Sequence, residues 1–221
     1  MKTPMKYSLK ELFPSIAWRL FAESQNDNKE SQYLDWLCEN ISAKKTFIEF
    51  GFSAFEFNSI SLAKKGYQGI LLDGREDNCK AANKIFNSLG FNVRAIHHWI
   101  EIKSLGPIID FSKSIHNEIG VLSVDIDGND YWVLKELLFS INPEIICIEH
   151  NASFGLRKIS TPYKPDFDRH AEHKSGWYHG ASITAFNGLL EKDYSLVKNV
   201  AGLNLIFVRI PVNLNSDSGV T

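Results

Sequence analysis

The chain has 221 residues, 44% of them hydrophobic and 23% charged, and a formal net charge of −2 at pH 7. This suits a single globular domain over residues 1–221 with a complete apolar core. There is no basic excess to neutralise a phosphate backbone, which argues against DNA or RNA as the main partner. No apolar run approaches the ~20 residues that a membrane helix needs. Cys38, Cys79 and Cys147 are widely spaced, and no CxxC is present. They read as reduced core residues rather than zinc ligands. The first residues lack the apolar stretch of a signal peptide, so a cytoplasmic location is expected.

In chain order, residues 1–45 read as a helical cap. Leu9, Leu12, Ile16 and Leu20 recur at helical spacing, interrupted by Pro14, and Tyr33, Leu34, Leu37 and Ile41 mark a second helix. Between them, Glu23 to Glu30 reads as a loop. Strands and helices then alternate over residues 46–210. Thr46–Phe50 is a strand, Ser53–Lys65 a helix, and Gly69–Leu72 a buried strand closed by Asp73 and Gly74. Cys79, Ala82, Ile85 and Leu89 stripe a helix that Gly90 ends. Asn92–Ile96, Val121–Ile126 and Glu144–Glu149 are further strands, and Val133, Leu134, Leu137 and Leu138 give a helix before the last of them. Alternation of this kind predicts a parallel sheet covered on both faces.

The end of the chain departs from that rule. After a helix carrying Ile183, Phe186, Leu189 and Leu190, the strands Tyr194–Val200 and Leu203–Arg209 are joined by Ala201 and Gly202. So short a turn permits only an antiparallel hairpin. The expected fold is α/β, with a seven-stranded, mostly parallel sheet ending in an antiparallel C-terminal hairpin. That order is the layout of the class I methyltransferases, a Rossmann-like fold. The polar residues 211–221 read as a frayed tail.

Two features point to a nucleoside-bearing ligand. Strand Thr46–Phe50 carries Glu49 and runs into Gly51, where the carboxyl edge of a parallel sheet receives such ligands. Asp73 ends the next strand about 20 residues later, where an acid grips ribose hydroxyls. Ser53 and Phe55 stand where further glycines are usual. The missing glycines disfavour a pyrophosphate and tolerate S-adenosylmethionine better. Expected cofactor contacts are therefore Glu49, Gly51, Ser53, Asp73 and Asp125. Trp99, after the third strand, is expected either at adenine or in the core.

The most distinctive stretch is the acidic run containing Asp125, Asp127 and Asp130, followed one strand later by Glu149, His150 and Asn151. Two chemistries remain open. Asp125 and Glu149, with His150 or Asn151, are an oxygen-rich set suited to Mg²⁺, which would orient acceptor hydroxyls and lower their pKa. Alternatively, with no metal, Asp127 or His150 is the general base. Asn129 and Asp130 read as a turn and helix cap. The irregular segment Phe154–Gly180, with His170, His173, Trp177, Tyr178 and His179, reads as a cover over the substrate.

The segments DIDGNDYW, IEHNASFG, TPYKPDF, YHGAS and NLIFVR resemble a bacterial group of S-adenosylmethionine-dependent methyltransferases related to the FkbM-type O-methyltransferases. The resemblance spans Phe47 to Arg209. It implies methyl transfer to a small hydroxylated substrate such as a sugar or glycan precursor, without naming the acceptor. A nucleotide-dependent oxidoreductase and a non-catalytic module that binds S-adenosylmethionine are the alternatives.

Overall fold

The structure, a computed structural model, describes residues 29–211. The helix expected around Leu9 to Leu20 and the tail beyond residue 211 lie outside the described residues. Helix α1 (Lys29–Asn40) begins within the stretch expected to be loop, and buries Leu34, Leu37 and Cys38.

Seven strands follow: β1 (Thr46–Phe50), β2 (Gln68–Asp73), β3 (Val93–His97), β4 (Val121–Val124), β5 (Ile145–Glu149), β6 (Tyr194–Val200) and β7 (Asn204–Arg209). They form one sheet in the order β3-β2-β1-β4-β5-β7-β6. β1 pairs in parallel with both β2 and β4, whereas β7 runs antiparallel to β5 and β6. The hairpin turn takes two successive left-handed residues, Ala201 and Gly202, whose twist matches the flanking strands. The connecting helices are α2 (Ile60–Lys64), α3 (Glu76–Leu89), α4 (Gly106–Ser114), α5 (Asp130–Leu137), α6 (Arg169–Glu172) and α7 (Ile183–Leu190).

Alternation along each strand divides the core between the two faces of the sheet. Phe47, Leu71, Val121, Cys147 and Ile206 face a layer that includes Leu34, Leu62, Ile85 and Phe86. Ile48, Phe50, Leu72, Val124 and Phe207 face Ile108, Val133, Leu134 and Phe186. The central strands are apolar on both sides because helices cover both. Each such fully buried large side chain contributes about 2–3 kcal/mol of transfer free energy.

The expected helix Ser53–Lys65 is mostly absent: only Ile60–Lys64 is helical. Other groups claim the amides that a helix would use. Ser53 and Glu56 exchange main-chain hydrogen bonds of 2.9 and 3.0 Å. The Ala54 amide donates to Asn78 Oδ1 at 3.0 Å. The Asn58 and Ser59 amides donate to the two carboxylate oxygens of Glu49 at 2.6 and 2.8 Å. The segment is therefore a loop folded back onto β1.

Gly51 makes that loop possible. Its φ of +66° is left-handed, and a Cβ there would lie 1.5 Å from the main-chain oxygen of Asp125. The glycine thus admits another turn of the protein, not solely a ligand. Gly51→Ala is expected to destabilise the fold by about 2 kcal/mol or more. Urea denaturation of the variant checks this; an unshifted midpoint would contradict it.

Candidate active site

The strand order reverses between the parallel neighbours β1 and β4: β1 connects outward to β2, and β4 to β5. Ligands of open α/β sheets bind at the carboxyl edge beside such a switch point. Here a cleft of about 770 Å³ opens there, lined by Glu49, Gly51, Asp73, Trp99, Asp125 and Asp127, among others. Ser53 also lines it.

At the β2 end, Asp73 is 6% exposed. Arg75 binds it through Nε to Oδ1 at 2.9 Å and Nη2 to Oδ2 at 3.0 Å, and the same Nη2 donates to the Phe52 carbonyl at 2.8 Å. Sequence reading missed this partner. Trp99 is 56% exposed. Its ring lies across Gly74, where a Cβ would come within 2.7 Å of it. The indole Nε1 donates to the Pro165 carbonyl at 3.0 Å. Trp99 is thus a wall of the cleft rather than part of the core.

Glu49 is buried, with both oxygens held by main-chain amides. Burial pushes its pKa up to about 7, against the pull of those amides. At the end of β4, Asp130 fixes the acidic loop. It is fully buried and accepts from the Ile126 amide at 2.8 Å and the Gly128 amide at 2.9 Å. Asn129 serves the loop that follows β5, donating to the Lys164 carbonyl at 2.6 Å. Asp130 holds the turn, whereas Asn129 precedes α5 without the side-chain capping bond expected of it and lines the cleft.

Asp127 has a left-handed φ of 58° and forms an ion pair with Arg169. Asp125, Asp127 and Glu149 each offer a carboxylate oxygen within 4.8 Å of the others. The nearby Asp125 charge disfavours ionisation of Glu149. Burial, reinforced by the neighbouring carboxylates, pushes Asp125 up to about 8 and Glu149 up to about 9. His179, 6% exposed, points Nδ1 toward Glu149 Oε2 at 3.7 Å. Burial lowers its pKa, with the Arg169 charge adding to the effect, so the imidazole is neutral at pH 7.

His150 is not gathered with these groups. Its Nδ1 and its amide both meet the Leu203 carbonyl at 2.8 Å, and it does not line the cleft. The physical reason is alternation: successive residues at a strand end point to opposite sides. The grouping expected as Asp125, Glu149 and His150 is in the structure Asp125, Asp127 and Glu149. Asn151 is structural, donating to the carbonyls of Trp177 and His179 at 2.7 and 2.9 Å.

Residues 155–180 fold over the cleft. Besides the Trp99, Asn129 and Arg169 contacts, Trp132 Nε1 donates to the Thr161 carbonyl at 2.7 Å. Phe167 seats on Gly128, where a Cβ would lie 2.3 Å from its ring. Pro165, Phe167 and Arg169 bring this segment into the cleft wall.

No protein-family profile and no curated protein matches the sequence. Solved structures do. A methyltransferase from Geobacter sulfurreducens is 16% identical, with 95% of this chain and 99% of that chain covered and a TM-score of 0.52. An O-methyltransferase from Bacillus cereus, in complex with SAH, is 14% identical, with 95% and 98% covered and a TM-score of 0.52. At such identities the likeness is one of fold. The chain has the Rossmann-like α/β fold of these methyltransferases, with its antiparallel C-terminal hairpin.

Raised carboxyl pKa values make stability depend on pH. The folded state holds protons on Asp125 and Glu149 that the unfolded chain releases near pH 4. Their contribution is full below that pH and is lost as pH rises toward 8–9. Asp125→Asn keeps the protonated shape and removes the charge. It is expected to gain stability relative to the native chain as pH rises from 5 to 9. Denaturant midpoints across that range test this; a constant difference would refute it.

Proposed function

We propose that the chain is an S-adenosylmethionine-dependent methyltransferase that methylates a hydroxyl of a small hydroxylated acceptor, a sugar or glycan precursor. The FkbM-like sequence segments point to the same reaction class. The observation that carries the reading is the grouping of the Asp125, Asp127 and Glu149 carboxyls within 4.8 Å of one another at the switch-point cleft, with Asp125 and Asp127 lining it.

The cleft suits the cofactor in size and lining. Its volume of about 770 Å³ lies in the range of cofactor pockets. The indole face of Trp99 suits adenine. Asp73 suits the ribose hydroxyls, and Gly51, Ser53, Glu49 and Asp125 suit the methionyl end. Bound there, S-adenosylmethionine supplies an electrophilic methyl group on a cationic sulfur.

The chain's own residues position the acceptor and take its proton. As the acceptor oxygen forms its bond to the methyl carbon, its proton passes to the cleft-lining Asp125 carboxylate, ionised as pH rises toward 8, and the electron pair of the broken bond stays on sulfur. A carboxylate raised by burial is a stronger base than an exposed one. His179, neutral, lies beside the Glu149 carboxyl with its Nδ1 3.7 Å away and without a hydrogen-bond partner. Asp127 is held by Arg169 from the covering segment. His150, tied to Leu203, has no catalytic part in this reading.

The grouping of Asp125, Asp127 and Glu149 also supports a Mg²⁺ reading, since three hard oxygen donors within 4.8 Å suit that ion. The metal would orient acceptor hydroxyls and lower their pKa. In that case Mg²⁺ raises the melting temperature of the native chain and not that of Asp125→Asn. An equal rise in both would exclude this donor set.

Isothermal titration with S-adenosylmethionine tests the main reading, and no binding at millimolar cofactor would sink it. Asp125→Asn is expected to lower methyl transfer from labelled S-adenosylmethionine by about 100-fold.

A further inference from the structure

The cleft has a second feature that the methyl-transfer chemistry leaves without a role. Its wall at the start of α1 and β7 is formed by Glu30, Leu203 and Asn204. The register pairs Asn204 with Glu149 across β5 and β7, so this wall adjoins the proton-accepting end of the site rather than Asp73.

Both polar side chains of the wall lack what they need. Glu30 is 8% exposed. Its carboxylate meets Asn204 Nδ2 at 3.4 Å, and among the described residues no lysine, arginine or histidine forms an ion pair with it. Asn204 is 7% exposed, and its Oδ1 is buried with no hydrogen-bond partner. The contact to Glu30 fixes which end of the amide is nitrogen, so the orphan atom is an acceptor. Elsewhere in the cleft, both guanidinium groups that line it are spent, Arg75 on Asp73 and Arg169 on Asp127.

A buried carboxylate beside a buried unpaired acceptor needs a compact group that is charged and purely a donor. A protonated amine has three donors and no acceptor. A hydroxyl would satisfy the amide oxygen but leave the carboxylate without a counter-charge. A phosphate or carboxylate would be repelled by Glu30 and by the acidic cluster beyond it. We infer that the acceptor is a polyhydroxylated molecule bearing a protonated amine, held at Glu30 and Asn204, and that phosphorylated and nucleotide-linked sugars are excluded. This rests on the methyl-transfer reading, and it narrows the acceptor class from sugars in general to amino sugars and related aminocyclitols.

Thermal melting of the full chain saturated with SAH provides the test, using glucosamine, glucose and glucose 6-phosphate at tens of millimolar and neutral pH. Glucosamine is expected to raise the melting temperature, while the other two leave it unmoved. Glu30→Gln is expected to weaken the glucosamine response about tenfold, and Glu30→Asp to restore part of it. Four results would each overturn the inference: no response to glucosamine, an equal response to glucose, a response to glucose 6-phosphate, or a glucosamine response indifferent to Glu30→Gln. A matching tenfold loss of SAH affinity in Glu30→Gln would also overturn it, because the wall would then hold the cofactor's own amine. If Glu30→Gln lacks a cooperative melt, Asn204→Ala removes the orphan oxygen and is read by the same criteria. Should SAH itself give no shift, the methyl-transfer reading fails, and the glucosamine arm is still read on the protein alone.

Discussion

The site depends on how the first crossover is anchored to β1. Glu49 lies on the same face of β1 as Phe47, under the loop that leaves the strand. Its two oxygens accept the Asn58 and Ser59 amides. Burying a carboxylate there is costly, and its raised pKa records the cost; the two amides offset part of it. In return the loop is drawn back over the strand, and Gly51 is pressed against the Asp125 main chain. The turns after β1 and β4 are thereby locked together. The cleft lies between them, so its two principal walls are fixed relative to each other before any ligand binds.

The acidic end is built by the same device. Asp130 spends both oxygens on the amides of Ile126 and Gly128. That holds a short loop on which Asp125 and Asp127 stand within reach of Glu149. Without compensation these carboxylates would repel one another. The raised pKa values of Asp125 and Glu149 keep both largely protonated at neutral pH, which relieves part of the repulsion, and Arg169 neutralises Asp127. Arg169 belongs to the covering segment, which also reaches Trp99 at the opposite end of the cleft through Pro165. The cover is thus pinned at both ends of the cleft, by a charge at one and a neutral hydrogen bond at the other.

The sheet was legible because its signals are local: apolar runs closed by turn residues, and a hairpin too short to be anything but antiparallel. Asp73 and the acids after β4 and β5 were legible because strand ends in this fold have a known edge. Three errors share a cause. The segment Ser53–Lys65 has a helical pattern, but Asn78 and Glu49 compete for its amides from elsewhere in the chain. His150 follows Glu149 in sequence, yet the pleat sends it to Leu203. Arg75 was overlooked although it stands two residues from Asp73, because nothing in a sequence marks which surface arginine folds back. Arg169 and Asn204 are still further from reach. Asp127 is 42 residues from Arg169, and Asn204 is 174 residues from Glu30, and neither pairing leaves a periodic trace.

The pairing of Arg75 with Asp73 bears directly on how a nucleoside would enter. Asp73 Oδ1 already accepts from Arg75 Nε and from its amide, and Oδ2 from Arg75 Nη2 and from the Phe52 amide at 3.4 Å. A carboxylate offers about four acceptor positions, so a ribose diol can approach only by sharing or displacing the guanidinium. Displacement is cheap on Arg75's side, since its side chain is 63% exposed and an ion pair with so open a partner is worth about 1 kcal/mol or less. It is dearer on the side of Asp73, which is buried and would lose its counter-charge unless the incoming hydroxyls replace those hydrogen bonds. Arg75 therefore keeps a buried carboxylate paired, and two adjacent hydroxyls would replace its hydrogen bonds more completely than one. The same logic runs through the whole cleft. Glu49 is satisfied by amides, Asp73 by an exposed arginine that can leave, Asp127 by the cover, and Asp125 and Glu149 by holding protons. Each of these acids is already compensated, and the ease of exchanging that compensation distinguishes a structural carboxylate from one able to receive a ligand.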